Sequence, residues 1–259
     1  MAWDPSLYLS FADHRLRPAL DLLGRVPADA PARVVDLGCG AGNVTRVLRQ
    51  RWPAAAIVGI DGSPEMLARA EREGEGLRLN WLEADIAGWA TDEPVDLLYS
   101  NAALHWLGGH ETLFPRLIEM VAPGGWLAVQ MPRNFTEPSH TSMAEAARSG
   151  PWRRKLEPLL KPAPVAEPAF YHRLLAPFSA GLDLWETVYW QRLTGENPVA
   201  DWTKSTWLSP LLAALEPGAE REGFEAAYRG LIAAAYPKES DGSTLFPFRR
   251  LFLVAQKGA

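Results

Sequence analysis

The stretch that decides the fold is Val34–Gly42, which reads VVDLGCGAG. A short hydrophobic run carries an acid, Asp36, and continues into a loop with a glycine at every second position. An amphipathic segment follows. Glycines let the backbone turn tightly and approach a ligand with no Cβ in the way. The pattern predicts a buried strand, a ligand-binding loop and a helix, because ligands of open α/β sheets bind at the carboxyl ends of the strands.

The flanking sequence repeats the alternation of apolar and amphipathic segments. We predict strands over 33–38, 56–61, 77–83, 95–100 and 126–131, and helices over 42–51, 63–73 and 111–121. Ser63-Pro64 supplies a helix N-cap and a proline in the first turn. Strands that alternate with helices are typical of a parallel sheet.

Residues 134–243 have a different texture, with prolines at 151, 158, 162, 164, 168 and 177 that break up long helices. We expect a strand over 182–193, a helix over 220–236 and a last strand over 245–256. The fold class is therefore α/β, with a doubly wound, mostly parallel seven-stranded sheet, helices on both faces and a helical or irregular insertion before the last strands. We expect a single domain over 1–259, in which 1–17 is an N-terminal lid segment, 18–133 the cofactor-binding core, 134–243 a substrate-side insertion with a late strand, and 244–259 the final strand.

The glycine loop departs from the dinucleotide fingerprint Gly-x-Gly-x-x-Gly. Gly38 and Gly40 fit the first two positions, but Asn43 stands at the third. The carboxylate of Asp36 is also a poor neighbour for a pyrophosphate and suits a cationic or amine-bearing ligand. An NAD-dependent dehydrogenase is therefore a weak alternative.

Acids follow the next two strands as well. Asp61 ends the second strand, where a carboxylate can accept hydrogen bonds from ribose hydroxyls. Asp85 follows the third strand, where a carboxylate could accept from an adenine amino group. The fourth strand leads into Asn101.

The set DLGCGAG (36–42), GID (59–61), EADI (83–86) and SNAALHWL (100–107) resembles the class I S-adenosylmethionine-dependent methyltransferases. The resemblance implies S-adenosyl-L-methionine as the cofactor. It places the methionine part at the glycine loop, the ribose at the acid after strand two and the adenine near the residues after strand three. The predicted cofactor-binding residues are Asp36, Gly38, Gly40, Asp61, Asp85, Ile86 and Asn101.

A closer resemblance, to the trans-aconitate methyltransferases, covers nearly the whole chain. It rests on WDPSLY (3–8), LFP (113–115), VQMPRN (129–134), DW (201–202) and RLFLVA (250–255). Such enzymes methylate one carboxylate of a small unsaturated tricarboxylic acid to a monomethyl ester. In one place the chain departs from the family: Ser209 precedes Pro210 where the family pattern has an arginine.

A carboxylate acceptor needs no general base, because its pKa near ~4 leaves it ionised at neutral pH. Alignment of the reacting atoms and exclusion of water then supply the catalysis. We predict no catalytic base, and donors that hold the anion. Candidate substrate-binding residues are Arg133, Arg250, Tyr8, His14, His105, Trp106, Tyr189 and Trp202. Structural packing or surface exposure is the alternative for each of them.

Composition excludes several other functions. The chain has 259 residues, a net charge of −5 and one cysteine, Cys39. The acidic balance argues against nucleic-acid and membrane partners. The five histidines lack paired metal-ligand spacing. The N-terminus does not read as a signal peptide. We expect a cytoplasmic enzyme, a monomer or small homo-oligomer, with a small anionic carboxylic acid as substrate.

Two other functions stay open. One is a methyltransferase that acts on another oxygen, on nitrogen or on carbon, for which His105 would be the candidate base. The other is a cofactor-binding module without catalysis.

Overall fold

A computed structural model describes residues 16–204 and 206–259. Tyr8 and His14 therefore lie outside the described residues. The chain divides into two compact units. Among the described residues, the first unit comprises 16–131, Ala166–Thr187 and Arg250–Ala259. The second comprises Pro132–Val165 and Val188–Arg249.

Seven strands form one sheet in the order β3-β2-β1-β4-β5-β7-β6. The strands are β1 Arg33–Leu37, β2 Ala56–Asp61, β3 Asn80–Glu83, β4 Val95–Asn101, β5 Val121–Pro132, β6 Ser179–Leu193 and β7 Thr244–Lys257. The pairs β1–β2, β2–β3, β1–β4 and β4–β5 are all parallel. The predicted doubly wound, mostly parallel seven-stranded sheet is confirmed.

The helices of the described residues alternate with the strands in the first half of the chain and cluster between strands in the second half. They are α1 Arg17–Arg25, α2 Asn43–Arg51, α3 Pro64–Glu73, α4 His110–Glu119, α5 Pro138–Ser149, α6 Arg153–Leu156, α7 Pro168–Leu175, α8 Pro198–Lys204, α9 Ser209–Ala213 and α10 Ala219–Ala235. As predicted, Ser63 caps α3, because its hydroxyl accepts the Met66 N–H at 3.3 Å. None of the helices in the described ranges is both long and apolar enough to cross a bilayer.

The core of the first unit lies along β1 and β4, the two central strands. Val34, Leu37, Leu97 and Leu98 are at most 1% exposed. Both strands read as nearly continuous apolar runs, which is expected where a parallel sheet is covered on both faces. The buried Tyr99 donates its hydroxyl to the Ala19 carbonyl of α1 at 2.6 Å and so fixes that helix to the sheet.

One indole fills the space left by three glycines in the first unit. A Cβ built on Gly42 would lie 2.4 Å from Trp81, one on Gly59 would lie 2.5 Å from it, and one on Gly74 would lie 3.2 Å from it. Trp81 therefore packs where side chains at these three positions would otherwise stand, and it joins β3 to β2 and to the start of α2.

The starts of β3, β5 and β6 differ from the sequence prediction by three residues or more, and β6 begins at Ser179 rather than at residue 182. The segment 123–125, Pro-Gly-Gly, reads as a stop signal but lies inside β5, because a β-bulge shifts the β4–β5 register there. Gly125 is needed at this point, since a Cβ on it would lie 2.8 Å from the Asp96 carbonyl. Strand β3 is shorter than predicted and begins at Asn80, after Arg78 adopts a positive φ of 49°.

The second unit is organised by its two longest helices, α5 and α10. Tyr228 of α10 donates its hydroxyl to the Ser139 carbonyl at 2.9 Å, and the Ser139 N–H donates to the Tyr236 hydroxyl at 3.1 Å. These buried tyrosines fix the start of α5 against α10. The helix predicted over 220–236 is confirmed to within one residue at each end.

Candidate active site

The glycine loop after β1 is held against the end of β2. The N–H groups of Gly38 and Cys39 both donate to the Ile60 carbonyl, at 2.8 and 2.9 Å. Gly38 has a φ of +80°, and a Cβ on it would lie 2.2 Å from the Cβ of Ala103. Gly40 has a φ of +53°, yet no atom lies within 4 Å of a Cβ built there. Gly38 is thus required by packing, whereas Gly40 leaves room beside the backbone for a ligand.

Asp36 lies beneath this loop and is only 1% exposed. Its Oδ2 accepts a 2.6 Å hydrogen bond from the Thr45 hydroxyl of α2. Burial raises the pKa of Asp36 to about 7, the nearby charge of Asp61 adds to the rise, and the Thr45 hydrogen bond opposes it. A cation in the loop would favour the ionised form of this carboxyl.

Asp61, at the end of β2, both fixes the loop and presents acceptors. Its Oδ2 accepts the Gly40 N–H at 2.8 Å, and its Oδ1 accepts the Ser63 N–H at 2.9 Å. Each carboxylate oxygen keeps a lone pair after one hydrogen bond. The half-buried side chain can therefore also accept from the two hydroxyls of a ribose.

Asp85 and Ile86 follow β3. Asp85 is exposed, and its Oδ1 accepts the Ala87 N–H at 2.9 Å, which stabilises the turn. Ile86 is half-buried, and its Cδ1 would lie 3.6 Å from a Cβ at Gly38. The apolar side chain thus borders the glycine loop, while the carboxylate of Asp85 faces solvent.

The end of β4 is strained and carries an unsatisfied amide. Ala102 has a φ of +53°, which costs a non-glycine residue about 1–3 kcal/mol. Its N–H donates to the Gln130 carbonyl at 2.9 Å. The adjacent Asn101 has a buried Oδ1 with no hydrogen-bond partner among the described residues. Strain and an unpartnered buried acceptor together are typical of a functional site.

Gln130 of β5 was missed by the sequence reasoning. It is 0% exposed, and neither its Nε2 nor its Oε1 has a partner in the described part of the chain. It lies directly across from Asn101 in the parallel β4–β5 register. The one available signal was a glutamine within the apolar strand 126–131.

His105 and Arg250 are both buried in the first unit, at 4% and 8% exposure. Burial, followed by the charges of Arg250 and His110, lowers the pKa of His105 to about 3. Its Nδ1 has no partner among the residues described. The Trp106 and His105 rings are tilted at 40° to each other with centroids 4.7 Å apart, and Trp106 is 59% exposed. As alternation predicts, Arg249 is partly exposed while Arg250 is buried.

Three further candidates lie in the second unit. Arg133 is half-buried, and its N–H donates to the Arg249 carbonyl at 3.0 Å. Tyr189 is 7% exposed. Trp202 is half-buried and packs on Phe248 with ring centroids 6.1 Å apart. Trp202 therefore makes the packing contact that its structural alternative requires. The substrate roles of all three residues stay predictions.

Nucleophilic and metal chemistry find no support in the described residues. Burial, with the charges of Asp36 and Asp61, raises the pKa of the Cys39 thiol, so the reactive thiolate is disfavoured. No group of three or more histidine, cysteine, aspartate or glutamate side chains that could hold a metal ion occurs in the part of the chain described.

The residues of the first unit fit S-adenosyl-L-methionine. Gly40 leaves open space beside the loop, Asp61 offers carboxylate acceptors, and Asn101 has an unpartnered buried oxygen. These two acceptor groups suit a ligand that carries a sulfonium, an ammonium and ribose hydroxyls better than they suit a pyrophosphate.

Comparisons with known proteins agree with this geometry. A family model described as a methyltransferase domain matches residues 34–125. A trans-aconitate 2-methyltransferase of Azoarcus sp. is 48% identical over 253 residues, which cover 98% of both chains. One from Streptomyces avermitilis is 48% identical over 265 residues, which cover 100% of this chain and 98% of the relative.

Solved structures share the fold at low identity. A phosphoethanolamine N-methyltransferase 2 of Haemonchus contortus in complex with S-adenosyl-L-methionine aligns at a TM-score of 0.55 and 17% identity, over 93% of this chain and 52% of that one. A methyltransferase of Bacillus halodurans, described as putative, aligns at a TM-score of 0.57 and 14% identity, over 93% and 98% of the two chains. The full-length relatives decide the assignment: the chain belongs to the trans-aconitate 2-methyltransferase family and is an S-adenosyl-L-methionine-dependent methyltransferase.

Proposed function

We propose that the protein transfers a methyl group from S-adenosyl-L-methionine to one carboxylate of trans-aconitate and releases a monomethyl ester. The observation that carries the proposal is the 48% identity, over nearly the full length of both chains, to relatives named trans-aconitate 2-methyltransferase. We also propose a single methyltransferase domain over 1–259, with a cytoplasmic location. The net charge of −5 supports a small-molecule acceptor rather than nucleic acid.

When bound, S-adenosyl-L-methionine supplies an electrophilic methyl group on a positively charged sulfur. We assign its binding to Asp36, Gly38, Gly40, Asp61, Asp85, Ile86 and Asn101. Within this set, Asp61 accepts from the ribose hydroxyls while it holds the N–H of Gly40. The exposed position of Asp85 suits contact with an adenine amino group at the rim of the site.

The state of His105 favours a carboxylate over acceptors that must lose a proton. A buried imidazole with a pKa of about 3 is neutral and is too weak a base for a phenol or an ammonium group. An ionised carboxylate needs no such base. We therefore propose that His105 lines the site as a neutral side chain.

The acceptor is a trianion, so its binding needs positive charge. Arg250 is 8% exposed, and a guanidinium in a low-dielectric setting attracts a carboxylate strongly. We propose Arg250 as the main charge partner of the acceptor, with His105 and Trp106 beside it. We further propose that Arg133, Tyr189, Trp202, Tyr8 and His14 take part in acceptor binding.

Acceptor-dependent formation of S-adenosylhomocysteine tests the proposal. Purified protein is incubated with S-adenosyl-L-methionine and, in parallel, with trans-aconitate, cis-aconitate, citrate or tricarballylate, and products are identified by mass spectrometry. We expect a monomethyl ester with trans-aconitate as the best acceptor. Preference for another acid would point to the serine that stands at position 209 in place of the family arginine. Absence of turnover with every acid would overturn the proposal.

A further inference from the structure

The buried amide of Gln130 carries an inference about how the acceptor is recognised. Gln130 lies next to Met131 near the carboxyl end of β5 and is completely buried. The side chains of Cα partners on adjacent parallel strands share a face, so Gln130 lies on the same face of the sheet as Asn101. The amide is thus at the edge of the sheet where ligands of this fold bind.

The amide has no structural task that the described residues reveal. Neither Nε2 nor Oε1 has a hydrogen-bond partner there. A buried polar group without a partner destabilises the fold, whereas an apolar side chain of the same size would not. The fold therefore bears a cost at position 130 that a ligand with a complementary polar group would remove.

The strand order places this position at the margin of the cofactor residues, beside Asn101 of β4. The glycine loop follows β1, Asp61 ends β2, and Asp85 follows β3, while β4 and then β5 lie on the other side of β1. Strands are spaced about 4.8 Å apart, so Gln130 is displaced by roughly 10 Å from β1. The cofactor-binding residues lie at or after the ends of the other four strands. The end of β5, beside Asn101, carries none of them.

We propose that the side-chain amide of Gln130 binds the acceptor, with its Nε2 donating a hydrogen bond to a carboxylate oxygen of the tricarboxylic acid. The inference rests on the proposed function and names a recognition residue for it. A neutral amide adds no net charge to the site. It fixes the orientation of the acceptor, because its nitrogen attracts a carboxylate and its oxygen repels one. Gln130 thereby complements Arg250, which supplies charge.

Gln130→Met tests the inference, because methionine keeps the length of the side chain and removes both polar atoms. The matched control is Gln256→Met on β7, where Nε2 donates to the Gly124 carbonyl at 3.1 Å. Four quantities are measured: the KM for trans-aconitate, the Kd of trans-aconitate for enzyme loaded with S-adenosylhomocysteine, the Kd of S-adenosylhomocysteine itself, and the Tm without ligands.

For Gln130→Met we expect the KM and Kd for trans-aconitate to rise about 10- to 100-fold. The affinity for S-adenosylhomocysteine should stay at the wild-type value, and the Tm should stay equal or rise. Gln256→Met should leave all ligand constants unchanged. The combination of weaker acceptor binding with unchanged or higher stability distinguishes recognition from a structural role.

Other outcomes overturn the inference. An unchanged acceptor KM and Kd shows that the amide does not bind the acceptor. A parallel loss of S-adenosylhomocysteine affinity assigns Gln130 to the cofactor. If Gln130→Met does not fold, Gln130→Leu is measured in its place, and failure of both variants to fold makes the amide structural. If wild type methylates a different acid, that acid replaces trans-aconitate; if it methylates none, both proposals fall.

Discussion

Thr45 and Asp36 form a buried hydrogen-bonded pair inside the first unit, in which the threonine hydroxyl donates a 2.6 Å hydrogen bond to the carboxyl group. Burial raises the pKa of this carboxyl from 3.8 to about 7. Between these two values the folded protein keeps a proton that the unfolded chain has released. The contribution of Asp36 to the free energy of unfolding therefore falls as the pH rises through this window.

We predict that Asp36→Asn removes this dependence. From about pH 4 to about pH 8, the variant should gain stability relative to wild type by up to about 4 kcal/mol. Urea unfolding at several pH values measures the difference. Thr45→Val, which removes the opposing hydrogen bond, should raise the pKa of Asp36 further and extend the dependence to higher pH. A constant difference between Asp36→Asn and wild type would contradict the assigned pKa.

Gly38 and Gly40 should respond differently to the same substitution. Gly38→Ala combines an unfavourable φ with a 2.2 Å clash against Ala103, so we predict a loss of roughly 2–4 kcal/mol in unfolding free energy. Gly40→Ala meets no atom and should lose only roughly 1–2 kcal/mol.

Gly24 of α1 is the control for this pair, since nothing lies within 4 Å of a Cβ there and its φ is not positive. Gly24→Ala should gain roughly 0.5–1 kcal/mol, because alanine favours a helix. Equal losses for Gly38→Ala and Gly40→Ala would refute the packing argument.

Asp61 and Asp96 allow ligand binding to be separated from folding. Each carboxylate accepts two backbone N–H groups, in Asp96 those of Ala32 and Arg33 at 2.8 and 2.9 Å. Asp61→Asn and Asp96→Asn should therefore cost similar stability, about 1–3 kcal/mol. Only Asp61→Asn should weaken S-adenosylhomocysteine binding, by about tenfold or more. Calorimetry and thermal melts measure both, and equal affinities in the two variants would remove Asp61 from the cofactor site.

His105 should not act as a base. Because its pKa in the free protein is lowered to about 3, it is neutral there near pH 7. We predict that His105→Asn keeps the shape of the pH profile of kcat/KM, which reports the free enzyme, and lowers kcat by less than the ~100-fold typical of a lost general base. His172→Asn, a change at an exposed histidine of α7, is the control. If the profile of His105→Asn lacked a titrating limb that wild type shows, His105 would be the base after all.

The sequence patterns were sufficient where the signal is local. The strand–glycine–helix order placed β1, the loop and α2, and Ser63-Pro64 located the start of α3. The sequence patterns were insufficient where the structure depends on how strands pair with one another. The Pro-Gly-Gly of 123–125 reads as a turn, yet β4 pairs with the residues around it and turns it into a bulge.

The same distinction holds for the candidate site. Asp61 could be predicted as a site residue because it is an acid at the end of a predicted strand. Gln130 stands out only in the fold, where neither of its polar atoms has a partner among the described residues. Composition and spacing contain no information about which hydrogen bonds a buried side chain lacks. Likewise, the difference between Gly38 and Gly40 depends on Ala103, which is distant in sequence.

The indole of Trp81 has a consequence for how this sequence can change. Alanine at Gly59 should be tolerated only if Trp81 has first been replaced by a smaller residue. Gly42 and Gly74 resist substitution for a second reason, since Gly42 has a φ of +72° and a Cβ on Gly74 would lie 2.9 Å from the Ala70 carbonyl oxygen. Replacement of Trp81 alone leaves a cavity that an alanine at position 59 would partly refill. Positions 59 and 81 are therefore epistatic: an alanine at 59 that is harmful alone becomes compatible with a smaller residue at 81, and related chains should vary at these two positions as a pair.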